Sequence, residues 1–169
     1  MSKRLIILGA GGYGQTVADV AEQTGKYDEI AFLDDNSDKA IDTCNNFVNY
    51  ISDGTDFYPA FGNNEGRVGW LHRLMELGCN IPTIIHPTAY ISPKATVIAG
   101  TTILPGAIVN TGCLVKMGCI INCGAIVDHG CILEEGVHVC LGAIVKGENH
   151  LPRCMKVEAG TVINNREYQ

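Results

Sequence analysis

The sequence has little positive charge: 12 Lys and Arg stand against 18 Asp and Glu, giving a formal net charge of −6 and a pI near 5.2. Non-specific binding to nucleic acid or anionic lipid needs a basic surface, so neither is expected. No apolar run approaches the roughly 20 residues that cross a bilayer. The opening stretch Leu5-Ile6-Ile7-Leu8 is too short for a signal-peptide core and runs straight into glycines, so neither a targeting segment nor membrane insertion is expected. Eight cysteines are present without one C-x-x-C pair, and Cys113, Cys119 and Cys131 fill a slot that elsewhere holds alanine. They read as small buried residues with free thiols, which favours a cytoplasmic compartment. No metal is expected.

What is present divides into two halves, 1–84 and 85–169. The first alternates β and α. Leu5 to Leu8 is a short buried strand, followed by Gly9-Ala10-Gly11-Gly12-Tyr13-Gly14, a G-x-G-x-x-G loop. A helix follows, with Val17, Val20 and Ala21 on one face and Gly25 as its stop. Ile30 to Leu33 is a second strand ending in Asp34-Asp35-Asn36, and Tyr58 to Phe61 a third. Residues 37–56 show no clear pattern. Gly62-Asn63-Asn64-Glu65 opens a second helix carrying Val68, Leu71, Leu74, Met75 and Gly78, with asparagine as N-cap and glycine as C-cap. Ile81 to Ile85 reads as a fourth strand. The half is predicted to be a small Rossmann-like α/β domain with a parallel sheet.

From Ile85 the helical period disappears and a six-residue period replaces it. Ile85, Ile91, Val97, Ile103, Val109, Val115, Ile121, Val127, Leu133, Val139, Val145, Leu151, Val157 and Ile163 are all Ile, Val or Leu. A small residue sits two positions earlier in most units, and glycine recurs three positions later from Gly100 to Gly142. Ordinary strands repeat every two residues. A period of six fits a three-sided parallel β-helix, each unit supplying one flat side and its turn. Three units form a coil of 18 residues, so residues 18 apart stack in columns. One column holds Thr111, His129 and Gly147; the next holds Asn110, Asp128 and Lys146. His129 therefore falls at a turn outside the core, and His138, immediately before inward-facing Val139, also points outward. An outward imidazole beside a backbone N–H could serve as base and oxyanion donor, or could simply be exposed.

The chain resembles the bacterial hexapeptide-repeat sugar acetyltransferases of PglD and NeuD type. The residues that carry the likeness are the Gly9–Gly14 loop, Phe32-Leu33-Asp34-Asp35, Phe61-Gly62-Asn63-Asn64-Glu65, Ile85-His86-Pro87-Thr88-Ala89, Ile121-Asn122, Asp128-His129 and Gly136-Val137-His138-Val139. The resemblance implies a left-handed β-helix and a homotrimer with sites at its subunit interfaces. It implies a nucleotide-sugar held by Gly11, Gly12, Tyr13, Asp34, Asp35, Asn63, Asn64 and Asn122, with acetyl-CoA as co-substrate near His138, Lys146 and Gly147. His129 would be the general base with Asp128 beside it, and the Gly147 N–H the oxyanion donor. A UDP-4-amino sugar of surface-glycan synthesis is the implied acceptor, with O-acetylation of a sialic acid or another sugar as the alternative. The sequence departs from the family pattern in two places. Gly130 stands where relatives often carry an acid, and Gly147-Glu148-Asn149-His150 breaks the repeat near a short C-terminal part.

Three other readings remain open on the residues alone. The glycine loop with Asp34 could be a dinucleotide fingerprint, although no hydride-transfer domain follows. His129, His138 and His150 could hold zinc between subunits, although none has a familiar zinc spacing. The chain could also be a non-catalytic sugar-nucleotide-binding trimer. His72 and His86 read as structural or exposed residues, and Trp70 as packing.

Overall fold

The structure, a computed structural model, describes residues 3–169. Chain contacts separate it into two compact units, one ending at Pro82 and the other spanning Thr83–Gln169.

The first unit is built on three parallel strands, β1 (Arg4–Leu8), β2 (Glu29–Leu33) and β3 (Thr55–Pro59), in the order β2-β1-β3. Strand β1 is central, and the period of two explains why it has no polar face. Ile6 and Leu8 face a core with Phe47, Phe57 and Leu74, while the alternate residues Leu5 and Ile7 are also fully buried. Helix α1 (Gly12–Thr24) buries Gly14, Val17, Ala18, Val20 and Ala21 and ends at Gly25 in the left-handed conformation, as its spacing predicts. Helix α2 (Asn64–Glu76) starts at Asn63, whose side chain accepts from the Gly66 N–H at 2.7 Å. Val68, Leu71 and Leu74 are buried, but Met75 lies on the solvent side.

Two strand expectations are corrected. The third strand begins earlier, at Thr55, because Asp56 is fixed inside the fold by Tyr27, Asn80 and Lys3 rather than belonging to a loop. Among the described residues this sheet has no fourth strand: Ile84–Ile85 pairs instead with Thr102–Ile103 as the first rung of the second unit. The stretch before β3, unpatterned in sequence, contains a 3₁₀-helix, Cys44–Tyr50, that buries Phe47. Trp70 packs edge-on to Phe47 and stacks on Phe61.

The second unit is a left-handed parallel β-helix of two-residue strands stacked on three faces. The first face stacks Ile84–Ile85, Thr102–Ile103, Ile120–Ile121, His138–Val139 and Lys156–Val157. The second stacks Tyr90–Ile91, Ile108–Val109, Ile126–Val127, Ile144–Val145 and Val162–Ile163. The third stacks Thr96–Val97, Leu114–Val115, Ile132–Leu133 and His150–Leu151. Every pairing joins residues 18 apart. The second residue of each strand points inward, and from Ile103 to Ile163 these residues form one almost solvent-free core.

The turns explain the rest of the repeat. The slot three residues after each inward aliphatic has positive φ from Gly100 to Gly142. The series does not break at Gly147-Glu148-Asn149-His150, contrary to expectation. Glu148, Cys154 and Arg166 take up the same conformation at φ 60°, 57° and 56°, and His150–Leu151 pairs in register. The thiols in the small slot do more than fill space. Cys113, Cys119 and Cys131 donate to the carbonyls of Asp128, Glu134 and Lys146, and Thr101 and Asn149 make the same bond to Lys116 and Asn164. Each acceptor lies 15 residues onward, at the turn of the next coil, so these donors tie neighbouring coils together.

Candidate active site

His129 lies in the turn that joins the second face to the third. Four coils supply that corner: Asn110-Thr111-Gly112, Asp128-His129-Gly130, Lys146-Gly147-Glu148 and Asn164-Asn165-Arg166. The imidazole side chain is 50% exposed and lies over Gly147. A Cβ on Gly147 would meet its Nε2 at 2.6 Å and its Cε1 at 2.7 Å, so glycine is required there for space. Gly147 is not in the positive-φ set, and its N–H finds no acceptor among the described residues. The corner thus presents a half-exposed base beside an unengaged backbone donor.

Asp128 approaches Nε2 of His129 with Oδ2 at 3.9 Å, an ion-pair distance too long for a hydrogen bond. Its Oδ1 accepts from Asn110 Nδ2 at 3.0 Å. The backbone N–H of His129, and then the Asn110 amide, hold the Asp128 carboxyl below the usual range, so it remains ionised. Lys146 Nζ turns to Asn164 Oδ1 at 3.1 Å. Glu148 pairs with Arg166, which holds its carboxyl low. Beside this column lies a cleft of about 320 Å³ lined by Gly130, Glu148, His150, Arg166 and Tyr168 among others.

His138 is elsewhere. It stands on the first face, opposite the His129 corner of the same coil, with Nε2 3.1 Å from Asn122 Nδ2. His150 is on the third face, its Nε2 2.7 Å from Glu134 Oε1, which also takes Lys116 Nζ. One protomer therefore does not gather His129, His138 and His150, and no cluster of three potential metal ligands occurs among the described residues. His86 is buried, with Nδ1 2.8 Å from Thr88 Oγ1.

In the first unit, the glycine loop, Asp34-Asp35 and Gly62-Asn63-Asn64 all follow the C-terminal ends of β1, β2 and β3, where open parallel sheets bind ligands. Most of the candidate side chains there already brace their own loops. Asp34 accepts the N–H groups of Ala10 and Asn36 at 2.8 and 2.9 Å, and these bonds hold its carboxyl below the normal value. Asp35 accepts from Cys44 N, Asn63 caps α2, and Asn64 Oδ1 accepts from the buried Arg67. The loop glycines differ in kind. Gly14 is fixed by packing, since a Cβ there would lie 2.0 Å from the Gly9 carbonyl oxygen, whereas Gly11 and Gly12 are exposed and face open space. The Tyr13 hydroxyl, next in the loop, is 3.0 Å from that of Tyr58. A larger hollow of about 550 Å³ opens near the N-terminal ends of β1 and β3, lined by Lys3, Ser52, Asp56 and Asn80 among others. The Asp56 carboxylate at its base is held by Tyr27, Asn80 and Lys3.

Residues 4–74 match the family model described as the PglD N-terminal domain. Over nearly the whole chain the fold superimposes on the acetyltransferase domain of PglB from Neisseria gonorrhoeae, with a TM-score of 0.88 and 31% identity, covering 97% of this chain and 92% of that one. The chain belongs to the PglD-type acetyltransferase family. The same gonococcal domain in complex with acetyl coenzyme A matches at TM-score 0.84 and 30% identity, covering 99% of this chain and 95% of that one. PerB from Caulobacter crescentus, in complex with CoA and GDP-perosamine, shares the fold at TM-score 0.81 and 22% identity, with 95% and 88% covered.

In this PglD-type chain, the 18-residue columns located His129, Gly147, Asp128, Asn110 and Lys146 at one corner but not Glu148 and Arg166. Their signal was the same column spacing, carried forward from Gly130.

Proposed function

We propose that the protein transfers the acetyl group of acetyl-CoA to the amine of a nucleotide-linked amino sugar, a UDP-4-amino sugar in the first instance, in the bacterial cytoplasm. The observation that carries this reading is the half-exposed His129 imidazole seated over Gly147, beside an N–H that engages no protein acceptor. His129 takes a proton from the amine as its nitrogen attacks the thioester carbonyl. The Gly147 N–H receives the oxyanion that develops on that carbonyl. Collapse of the adduct forms the amide and expels the CoA thiolate, which recovers the proton from the imidazolium. Histidine suits the step because its ordinary pKa lies near neutrality. No cysteine is needed as a nucleophile.

The nucleotide is assigned to the first unit. Its diphosphate would meet the start of α1, where Gly11 and Gly12 leave room, no acidic residue stands in the first turn, and the helix N-terminus favours an anion. Asp34, Asp35, Asn63 and Asn64 would shape the loops around it. Acetyl-CoA is assigned to the repeat unit, with His138, Lys146 and Gly147 as contacts, and Asn122 is assigned to the sugar substrate.

A homotrimer is part of the proposal. The outward residues of the second face are Tyr90, Ile108, Ile126, Ile144 and Val162, an unbroken apolar ladder. The other faces carry Thr102, His138 and Lys156, or Thr96 and His150, among their outward residues. A ladder of that kind calls for cover. A second copy placed along it would bring its own His138 and Asn122 toward the corner that holds His129, completing a site that one protomer leaves divided. No described helix is long and apolar enough to cross a membrane.

The test is thiol release from acetyl-CoA with UDP-4-amino sugars, the matching hydroxy sugars and sialic acids as acceptors. Turnover confined to the amines, lost in H129A, is the expected result. Turnover with a hydroxyl acceptor alone overturns N-acetylation, and tight nucleotide-sugar binding without turnover overturns the enzyme reading.

A further inference from the structure

The peptide that joins Lys146 to Gly147 is held from behind. Its carbonyl oxygen accepts from the Asn149 amide Nδ2 at 2.7 Å and from the Cys131 thiol at 3.3 Å. Both donors belong to the interior: Cys131 is fully buried and Asn149 is 1% exposed. A trans peptide is planar, with its N–H opposed to its C=O, so a carbonyl drawn toward the core sends the Gly147 N–H outward.

Asn149 is itself fixed. Its Nδ2 also donates to the Asn164 carbonyl oxygen at 2.8 Å, and its Oδ1 accepts the Tyr168 N–H at 2.9 Å, so one orientation of the amide satisfies all three bonds. The bond to Asn164, 15 residues onward, is the one that Thr101, Cys113 and Cys119 also make from this slot. The bond back to Lys146 is an addition, which needs the second N–H hydrogen of an amide. At the corner between the first and second faces the slot holds Ala107, Ala125 and Ala143, so a turn of this fold closes without any such donor.

We propose that Asn149, assisted by Cys131, is a positioning residue of the transfer reaction: the two fix the Lys146–Gly147 peptide and polarise it, so that the Gly147 N–H is aimed at the oxyanion. The proposal rests on the reading of that N–H as the oxyanion donor. Hydrogen bonds in a chain polarise one another, so an N–H whose own carbonyl already accepts is the stronger donor. Such a donor stabilises the developing charge most when it is set in place beforehand. The charge on that oxygen develops only in the transition state, so the support acts on kcat rather than on acetyl-CoA binding. Asn149 is too deeply buried to meet either substrate, and it acts through the peptide alone.

The test is steady-state thiol release by the intact protein, with thermal melts on the same samples. Asn149→Thr keeps a hydroxyl, which in Thr101 reaches the next coil's carbonyl from this slot, but gives up the second bond, to Lys146. Its kcat is expected to fall about tenfold, a part of the roughly 10²–10³-fold that loss of a whole oxyanion donor costs. KM for acetyl-CoA should stay within about twofold of wild type, and the pH profile of kcat/KM should keep its midpoint because the base is untouched. Cys131→Ala should lower kcat by about threefold, and Cys131→Ser, which returns a donor, should restore it. Cys119→Ala removes the matching thiol at another corner, where it donates to the Glu134 carbonyl oxygen. It should lower Tm as much as Cys131→Ala does and leave kcat unchanged. Wild-type kcat in Asn149→Thr and Cys131→Ala, or an equal loss in Cys119→Ala, with His129→Ala inactive, overturns the positioning role and leaves the base reading intact. A fully active His129→Ala shows that the corner is not the reaction centre, and the proposal falls with that reading.

Discussion

Gly147→Ala isolates the contact on which the proposed chemistry depends. The new methyl would lie 2.6 Å from Nε2, 2.7 Å from Cε1 and 3.1 Å from Cδ2 of His129. Ordinary contact begins at 3.4 Å, so the ring must retreat by about 0.8 Å, the difference between 3.4 and 2.6 Å. The backbone needs no rearrangement, because Gly147 is outside the positive-φ set. The ring is half exposed and free to swing outward, so the fold loses only an off-rotamer term of about 0.5–1.5 kcal/mol. For a chain of this length that is a fall of about 1–6 °C in Tm. Catalysis is far less tolerant, since a base displaced by about 1 Å costs on the order of 10²-fold in rate. The expected signature is thus a Tm within a few degrees of wild type and kcat/KM down about a hundredfold in the thiol-release assay. A cycle with His129→Ala removes the ambiguity: without the ring the methyl has nothing to strike, and the Tm deficit should vanish. Wild-type kcat/KM in Gly147→Ala, or a deficit that survives in the His129→Ala background, refutes the reasoning.

The apolar ladder on the second face predicts that Ile126→Lys dissociates the assembly, read by sedimentation velocity, and abolishes activity with it; a trimeric variant, or a monomeric wild type, removes the ladder as the interface. Asn149 is 1% exposed and bonds the Lys146 and Asn164 carbonyls and the Tyr168 N–H. Asn149→Leu should therefore cost about 2–4 kcal/mol in urea unfolding, and a loss below about 0.5 kcal/mol counts against the corner donors. The Asp34 carboxyl is held below its unfolded value by the Ala10 and Asn36 N–H groups, so its stabilisation is complete above about pH 4 and disappears as the pH falls through the folded value. Between about pH 5 and pH 3 the Tm of Asp34→Asn should fall less steeply than that of wild type. Parallel curves would show that the glycine loop does not depend on this charge.

The β-helix was legible because its core obeys one rule at every sixth residue, and no tertiary detail overrides an inward aliphatic column that long. Where the sequence misled, the local pattern was ambiguous for a physical reason. Ile81 to Ile85 is apolar and flanked like a strand, and Ile84–Ile85 is indeed one, but it pairs with Thr102–Ile103. An apolar dipeptide carries no mark of which sheet it joins. The start of β3 was hidden by Asp56, a buried carboxylate whose partners Lys3, Tyr27 and Asn80 are distant in sequence. The slot continues past Gly142 in conformation though no longer in composition. Glu148, Cys154 and Arg166 adopt it as well. In the same way, Cys113, Cys119 and Cys131 matched alanine in size while acting as donors to the next coil's carbonyls.

The division of the candidate site was also present in the numbering. His129 and His138 are nine residues apart, half of an 18-residue coil. In a three-sided helix half a coil leads from a corner to the middle of the opposite face, so the two imidazoles cannot meet across a solid core that runs from Ile103 to Ile163. Small separation in sequence is therefore evidence of separation in space for this fold. Two outward histidines at that offset can serve one reaction only if a second copy turns its first face toward the first copy's corner. The apolar ladder of Tyr90, Ile108, Ile126, Ile144 and Val162 lies on the face adjoining that corner, where such a neighbour would have to dock. The half-coil offset and the ladder are independent features of the sequence, and the proposed assembly accounts for both.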